Sequence, residues 1–146
     1  MRNIAFAFIL SVSALSAVAQ MTPVGLWKAI SDKTGEATSE VRVVDNAGVL
    51  SGRIERSFRT DVKADTKCDQ CKDDRKDQPI IGLEIIRGLG KTPGKDVWEG
   101  GTVIDPDDGT VYKLKMTPID GGKKLEARGF IGFSLFGRTQ TWIRVQ

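Results

Sequence analysis

The 146-residue chain carries 22 Lys and Arg against 19 Asp and Glu, and this near balance (+3 overall) gives no warrant for nucleic-acid binding. Hydrophobic residues at 40% and charged residues at 28% are ordinary globular proportions, enough for one domain with a core and against disorder of the whole. Histidine is absent, which removes Ser-His and Cys-His nucleophile pairs, imidazole acid–base chemistry and most zinc and haem ligation together.

Residues 1–19 have the order of a secretory signal. Arg2 gives the positive head, residues 4–18 form an apolar run with small side chains, and Ala17-Val18-Ala19 offers a small-x-small cleavage site. The run is short for a membrane span and no cluster of charges follows as a stop-transfer signal, so cleavage after Ala19 is expected. Gln20, not a Cys, stands directly after that point, and a lipoprotein anchor is not indicated. The expected organisation is a leader at 1–19 and one domain at 20–146, with no membrane span after cleavage.

Beyond the leader the chain reads as short strands separated by turn chemistry. Residues 24–30 are the first, with Trp27 and Ala29 on one face, followed by a polar loop at 31–39 around Gly35. Residues 40–44 and 49–58 pair across Asp45-Asn46-Ala47-Gly48, a hairpin signal. In the second of these Leu50, Ile54 and Phe58 share a face, opposite Ser51, Arg53, Glu55 and Ser57. Residues 80–86 are read as a strand on their β-branched content and on Pro79 before them. Residues 97–104 and 110–116 flank the turn Asp105-Pro106-Asp107-Asp108-Gly109, and Asp120-Gly121-Gly122 leads into 124–131. The last strand alternates, with Thr139, Thr141, Ile143 and Val145 on one side and Gln140, Trp142 and Arg144 on the other. Eight strands in sequential hairpin order predict an all-β domain, a single antiparallel up-and-down barrel. An open β-sandwich is the alternative.

Four segments invite functional readings. Cys68-Asp69-Gln70-Cys71 holds both cysteines of the chain; in an exported protein they form a structural disulfide, with a redox-active pair as the sharper reading. The loop at 59–79 alternates charge along its length and is either a solvated flap or a lid over the barrel mouth. Gly88-Leu89-Gly90-Lys91-Thr92 lacks the earlier glycine of a phosphate loop, where Ile85 stands, and is read as a flexible connection. Asp105, Asp107 and Asp108 lack the closing acidic ligand of a calcium loop, because Met116 occupies that position. No metal site and no cofactor are expected.

The aromatic residues point to a pocket. Trp98 is read as sharing its face with Gly100 and Thr102, where missing bulk leaves room. Tyr112, Leu114 and Met116 follow at spacing two on the next strand, so the four large residues line a cavity suited to a small apolar or amphipathic ligand. Arg138, in the turn before the last strand, is placed to meet an acidic headgroup; Leu135 and Phe136 beside it either fold back as a plug or face a partner.

Gly25-Leu26-Trp27 on the first strand with Arg144 on the last resembles the lipocalin and wider calycin barrels. That resemblance implies that Trp27 plugs the closed end and Arg144 lies across it. The Gly-Leu-Trp start, the Cys68 to Cys71 loop, Trp98-Glu99-Gly100-Gly101 and the ending from Phe136 to Val145 together resemble the domain of unknown function 2147 family over essentially the whole mature chain. This implies a barrel and a periplasmic or secreted bacterial protein, in a family without an established activity. The leading expectation is therefore a non-catalytic envelope protein that binds a small hydrophobic or amphipathic molecule through Trp98, Tyr112, Leu114, Met116 and Arg138. A filled-core interaction module and a redox-responsive protein acting through Cys68 and Cys71 are the other two readings.

Overall fold

Alternation of buried and exposed side chains, the period of a strand with one wet face, runs through the computed structural model, which describes residues 20–146. The expected leader at 1–19 lies outside the described residues. The strands are β1 (Gly25–Ile30), β2 (Ala37–Asn46), β3 (Val49–Ser57), β4 (Glu84–Lys91), β5 (Trp98–Ile104), β6 (Val111–Ile119), β7 (Lys124–Phe130) and β8 (Gly137–Arg144). Each pairs antiparallel with its sequence neighbours. β8 returns to β1 through Trp27 opposite Arg144 and Lys28 opposite Ile143, so the sheet is a closed barrel rather than a sandwich. Closure leaves no free edge to pair with other chains.

The up-and-down order sorts the connections between two ends. The β2–β3, β4–β5 and β6–β7 turns and both ends of the barrel chain lie at one end; the four remaining loops lie at the other. Toward the first end, inward positions carry large side chains, and Trp27, Leu50, Leu89, Met116 and Leu125 are fully buried. That end is packed shut.

Two corrections to the expected strands come from bulges. Across β2 and β3 the register slips between Glu40 and Val41, which leaves one extra β3 residue at Glu55. Ser57 consequently turns inward, and Phe58 lies outside under Arg56, 4.8 Å from its ring centroid. A second slip, between Trp98 and Gly101 against β6, puts Gly101 rather than Gly100 on the inner side. Gly100 and Thr102 therefore do not share the face of Trp98, and the void expected there is absent from that face.

The fourth strand is also displaced. It runs over Glu84–Lys91, not 80–86, and takes in the segment read as a flexible connection. The reason is close approach: a Cβ on Gly101 would meet the Arg87 carbonyl oxygen and lie 2.7 Å from the Leu89 amide nitrogen. The glycines let β4 and β5 press together while Leu89 fills the core.

Residues 58–83, between β3 and β4, are folded rather than a solvated flap. Cys68 and Cys71 are disulfide-bonded, and Lys67 bridges to Pro79. The Cys68 amide donates to Gln78 O (2.8 Å), the Asp77 amide to Cys68 O (2.9 Å) and the Ile80 amide to Thr66 O (2.9 Å). Both cysteines, Ile80 and Leu83 join the hydrophobic core. Arg75, almost fully buried, donates to Asp73 and to the Glu84 carbonyl oxygen (3.0 Å), which fastens the segment to the start of β4.

Candidate functional site

At the end away from Trp27 the barrel opens into a cavity of about 770 Å³. Its origin is side-chain volume. Where the closed half has Trp27, Leu50, Met116 and Leu125, the inward positions of the open half hold Ala29, Ser39, Ser57, Ala127 and Gly129. Small residues on facing strands leave space that the neighbouring Val41, Ile54, Leu114 and Trp142 wall with apolar surface. Pockets of this size suit small molecules.

Polar groups sit above and among that apolar wall. Tyr112 and Gln140 line the cavity, and Gln140 Oε1 accepts the indole N–H of Trp142 at 2.9 Å. At the rim, Arg138 donates twice to Asp32 (2.9 and 2.6 Å), joining the start of β8 to the β1–β2 loop. That pairing holds the Asp32 carboxyl below its usual range. Arg59 donates to Asp61 (3.0 and 2.6 Å) and to Asp107 (2.9 and 2.7 Å), and so ties the folded 58–83 segment to the β5–β6 turn. Asp105 is different. It lines the cavity half-buried, its Oδ1 accepts the Asp107 amide (2.9 Å), and burial pushes its carboxyl above the usual value.

The segment expected as flap or lid contributes wall as well as cover. Val62 and Ile80 line the cavity, and the Cys68 sulfur approaches Pro106 O in the β5–β6 turn at 3.6 Å. Opposite, the β7–β8 loop brings Ile131, Leu135 and Phe136 to the rim with their side chains largely exposed, so it is not a buried plug.

Of the residues expected at the pocket, Tyr112, Leu114 and Arg138 line the cavity. Trp98 and Met116 face each other across β5 and β6 in the packed half, beneath the cavity floor. Spacing two along β6 put Tyr112, Leu114 and Met116 on one face, but that face runs from the mouth into the packed floor. Ile54, Asp105, Ala127, Gln140 and Trp142 were missed as wall residues. The alternation that set Gln140 and Trp142 on one side of the last strand was the signal for two of them.

At the closed end, Arg144 lies over the Trp27 ring, 4.1 Å from its centroid, and the Trp27 indole N–H donates to Pro23 O at 2.6 Å. Among the described residues no group of three or more His, Cys, Asp or Glu is arranged to hold a metal ion. Asp107 and Asp108 belong to turn geometry, with the Thr110 amide donating to Asp108 Oδ1 at 2.8 Å. The arrangement suits an amphipathic guest, with an apolar part against Ile54, Leu114 and Trp142 and a polar part at the rim.

The family described as "Uncharacterized protein conserved in bacteria (DUF2147)" matches residues 25–144, the span from the first residue of β1 to the last of β8. The chain belongs to this family. Among solved structures it is similar to the protein HP1028 from the human pathogen Helicobacter pylori, described as belonging to the lipocalin family. The TM-score is 0.72 at 18% sequence identity, over 88% of this chain and 84% of that one. The likeness is one of fold: a lipocalin-like barrel. No curated protein matches the sequence.

Proposed function

We propose that this protein is an exported, non-catalytic binder of a small hydrophobic or amphipathic molecule in the bacterial cell envelope. The observation that carries the reading is the cavity of about 770 Å³, apolar in its depth and charged at its mouth, in a barrel whose other end is packed shut. Tyr112, Leu114, Ala127 and Trp142 would hold the apolar part, and Arg138 and Asp105 would meet a polar headgroup. The open space favours this over a module with a filled core. Export is supported by the signal-like order of residues 1–19, by the disulfide and by a family found in bacteria. The burial of both cysteines supports a structural disulfide over an exchanging one, since thiol exchange needs access to a sulfur.

Native mass spectrometry of the mature protein, taken gently from its host's envelope, tests the reading. The expected result is a reproducible extra mass that disappears on denaturation. Titration of ligand-free protein with fatty acids and lysolipids should change Trp142 fluorescence, and Trp142→Phe should remove that change. A bare mass together with flat titrations across lipids and metabolites would sink the carrier reading.

A further inference from the structure

The β7–β8 loop, residues 131–136, holds four large apolar side chains in water: Ile131, Phe133, Leu135 and Phe136 are 61%, 78%, 81% and 71% exposed. Scattered apolar residues on a surface need no explanation, but four within six positions form a patch. The loop is also built to present them. Arg128 Nε and Nη2 donate to Ser134 O (2.8 and 2.6 Å), its Nη1 donates to Thr139 Oγ1 (2.9 Å), and the Phe136 amide closes a turn on Phe133 O (3.0 Å). Lys113 Nζ reaches Gly132 O at 3.4 Å. The backbone is thus satisfied from beneath, while the side chains are held out.

The groups beneath are cationic. Lys115 stands opposite Arg128, and Lys113 opposite Phe130, on the outer wall of β6 and β7 directly behind the loop. Among the described residues none of Lys113, Lys115 and Arg128 takes part in an ion pair. Of the carboxylates at the mouth, Asp32 is paired with Arg138 and Asp107 with Arg59, while Asp105 and Asp108 accept backbone amides of their own turn. An apolar tip backed by unpaired cations is the arrangement that suits a lipid interface, where apolar groups enter the headgroup boundary and cations meet phosphate. A second copy of the chain fits less well. A two-fold contact through the same loop would bring two cationic collars together.

We propose that the β7–β8 loop docks the barrel, mouth first, onto an anionic lipid surface. Phe133, Leu135 and Phe136 enter the headgroup boundary, and Lys113, Lys115 and Arg128 contact the lipid phosphates. This surface stands whether or not the cavity takes a ligand; if it does, docking brings the mouth to the phase from which an amphipathic molecule would be drawn.

Vesicle flotation tests the proposal with protein spanning residues 20–146, which contains every strand of the barrel. Vesicles of phosphatidylethanolamine with phosphatidylglycerol should carry the protein upward, and phosphatidylcholine vesicles should not. Raising the salt should release it. The F133S/L135S variant should lose at least about tenfold in binding, because two apolar anchors are gone, and its melting curve should match the wild type because both side chains are exposed. K113Q/K115Q should weaken binding to the anionic vesicles alone. Absence of flotation with the anionic vesicles, equal flotation with phosphatidylcholine, or undiminished binding by F133S/L135S would overturn the proposal. So would a concentration-dependent dimer that L135S disperses, which would assign the patch to a second copy. Ligand titration of F133S alone in free solution keeps the cavity reading separate: Phe133 does not line the cavity, so its binding should be unchanged.

Discussion

Arg144 lies over the indole of Trp27 and directs its N–H groups to five backbone carbonyls, those of Gln20, Thr22, Val24, Gly122 and Gln146. One side chain thereby ties the chain before β1, the turn before β7 and the last residue to the ring that seals the barrel. Arg144→Ala is expected to cost about 3 kcal/mol, because it removes several charge-assisted hydrogen bonds together with the cation stacked on the ring. Arg144→Lys should recover only part of that, because an ammonium cannot span acceptors arranged around a planar fork. Urea unfolding of the three proteins measures both. Equal stability of wild type and the alanine variant would refute the tie.

The disulfide makes a sharper contrast between structure and chemistry. Cys68 and Cys71 are three positions apart, so the loop they close is short and its removal should cost about 2 kcal/mol on loop entropy. The paired Cys68→Ser, Cys71→Ser variant should melt lower and still bind the same amphiphiles with unchanged affinity. Thermal melts with and without reductant, beside ligand titrations, check this. Loss of binding at unchanged fold would return the redox reading to the front.

Much of the barrel was legible because its signals are local. Asp45-Asn46-Ala47-Gly48 and Asp120-Gly121-Gly122 mark turns, and the alternation of Gln140, Trp142 and Arg144 marks a wall. The failures fall where a strand answers to its neighbour. The extra residue at Glu55 is defined only against β2, so nothing in β3 itself reveals that Ser57 turns in and Phe58 out. Gly88 and Gly90 look like a loop until Gly101 packs against the backbone of Arg87 to Leu89, an approach defined only from β5. Depth was hidden in the same way. Whether Leu114 and Met116 border space or packing depends on what facing strands supply, and Met116 lies in the floor with Leu125 while Leu114 borders the cavity.

That difference in depth separates two substitutions. Ala127→Leu extends into open space, so it should change stability by less than about 1 kcal/mol while reducing ligand affinity by about tenfold or more. Met116→Ala removes a fully buried side chain from the floor and should cost about 2–5 kcal/mol, with little direct effect on the cavity wall. Titration and denaturation of both variants give the comparison. Unchanged affinity in Ala127→Leu would mean that the ligand sits elsewhere.

Acid should affect the protein in two stages of opposite sign. Asp73 is held down to about 2, from an ordinary 3.8, chiefly by its hydrogen bonds with Arg75. Asp32, Asp61 and Asp74 are lowered by Arg138, Arg59 and Arg87. A carboxyl depressed on folding stabilises the folded state above its unfolded pKa, and that contribution is lost as the pH falls through the folded value. Asp105 runs the other way. Burial raises it, so the folded state takes up its proton first, and this adds stability as the pH falls from neutral toward about 4. Stability should therefore hold or rise slightly down to about pH 5 and fall between about pH 4 and pH 2. Asp105→Asn keeps an oxygen to accept the Asp107 amide and removes the half-buried charge. It should be at least as stable as wild type at pH 7, with the difference closing on acidification. Urea unfolding at stepped pH measures both curves; a variant clearly less stable than wild type at pH 7 would show that the Asp105 charge supports the fold rather than straining it.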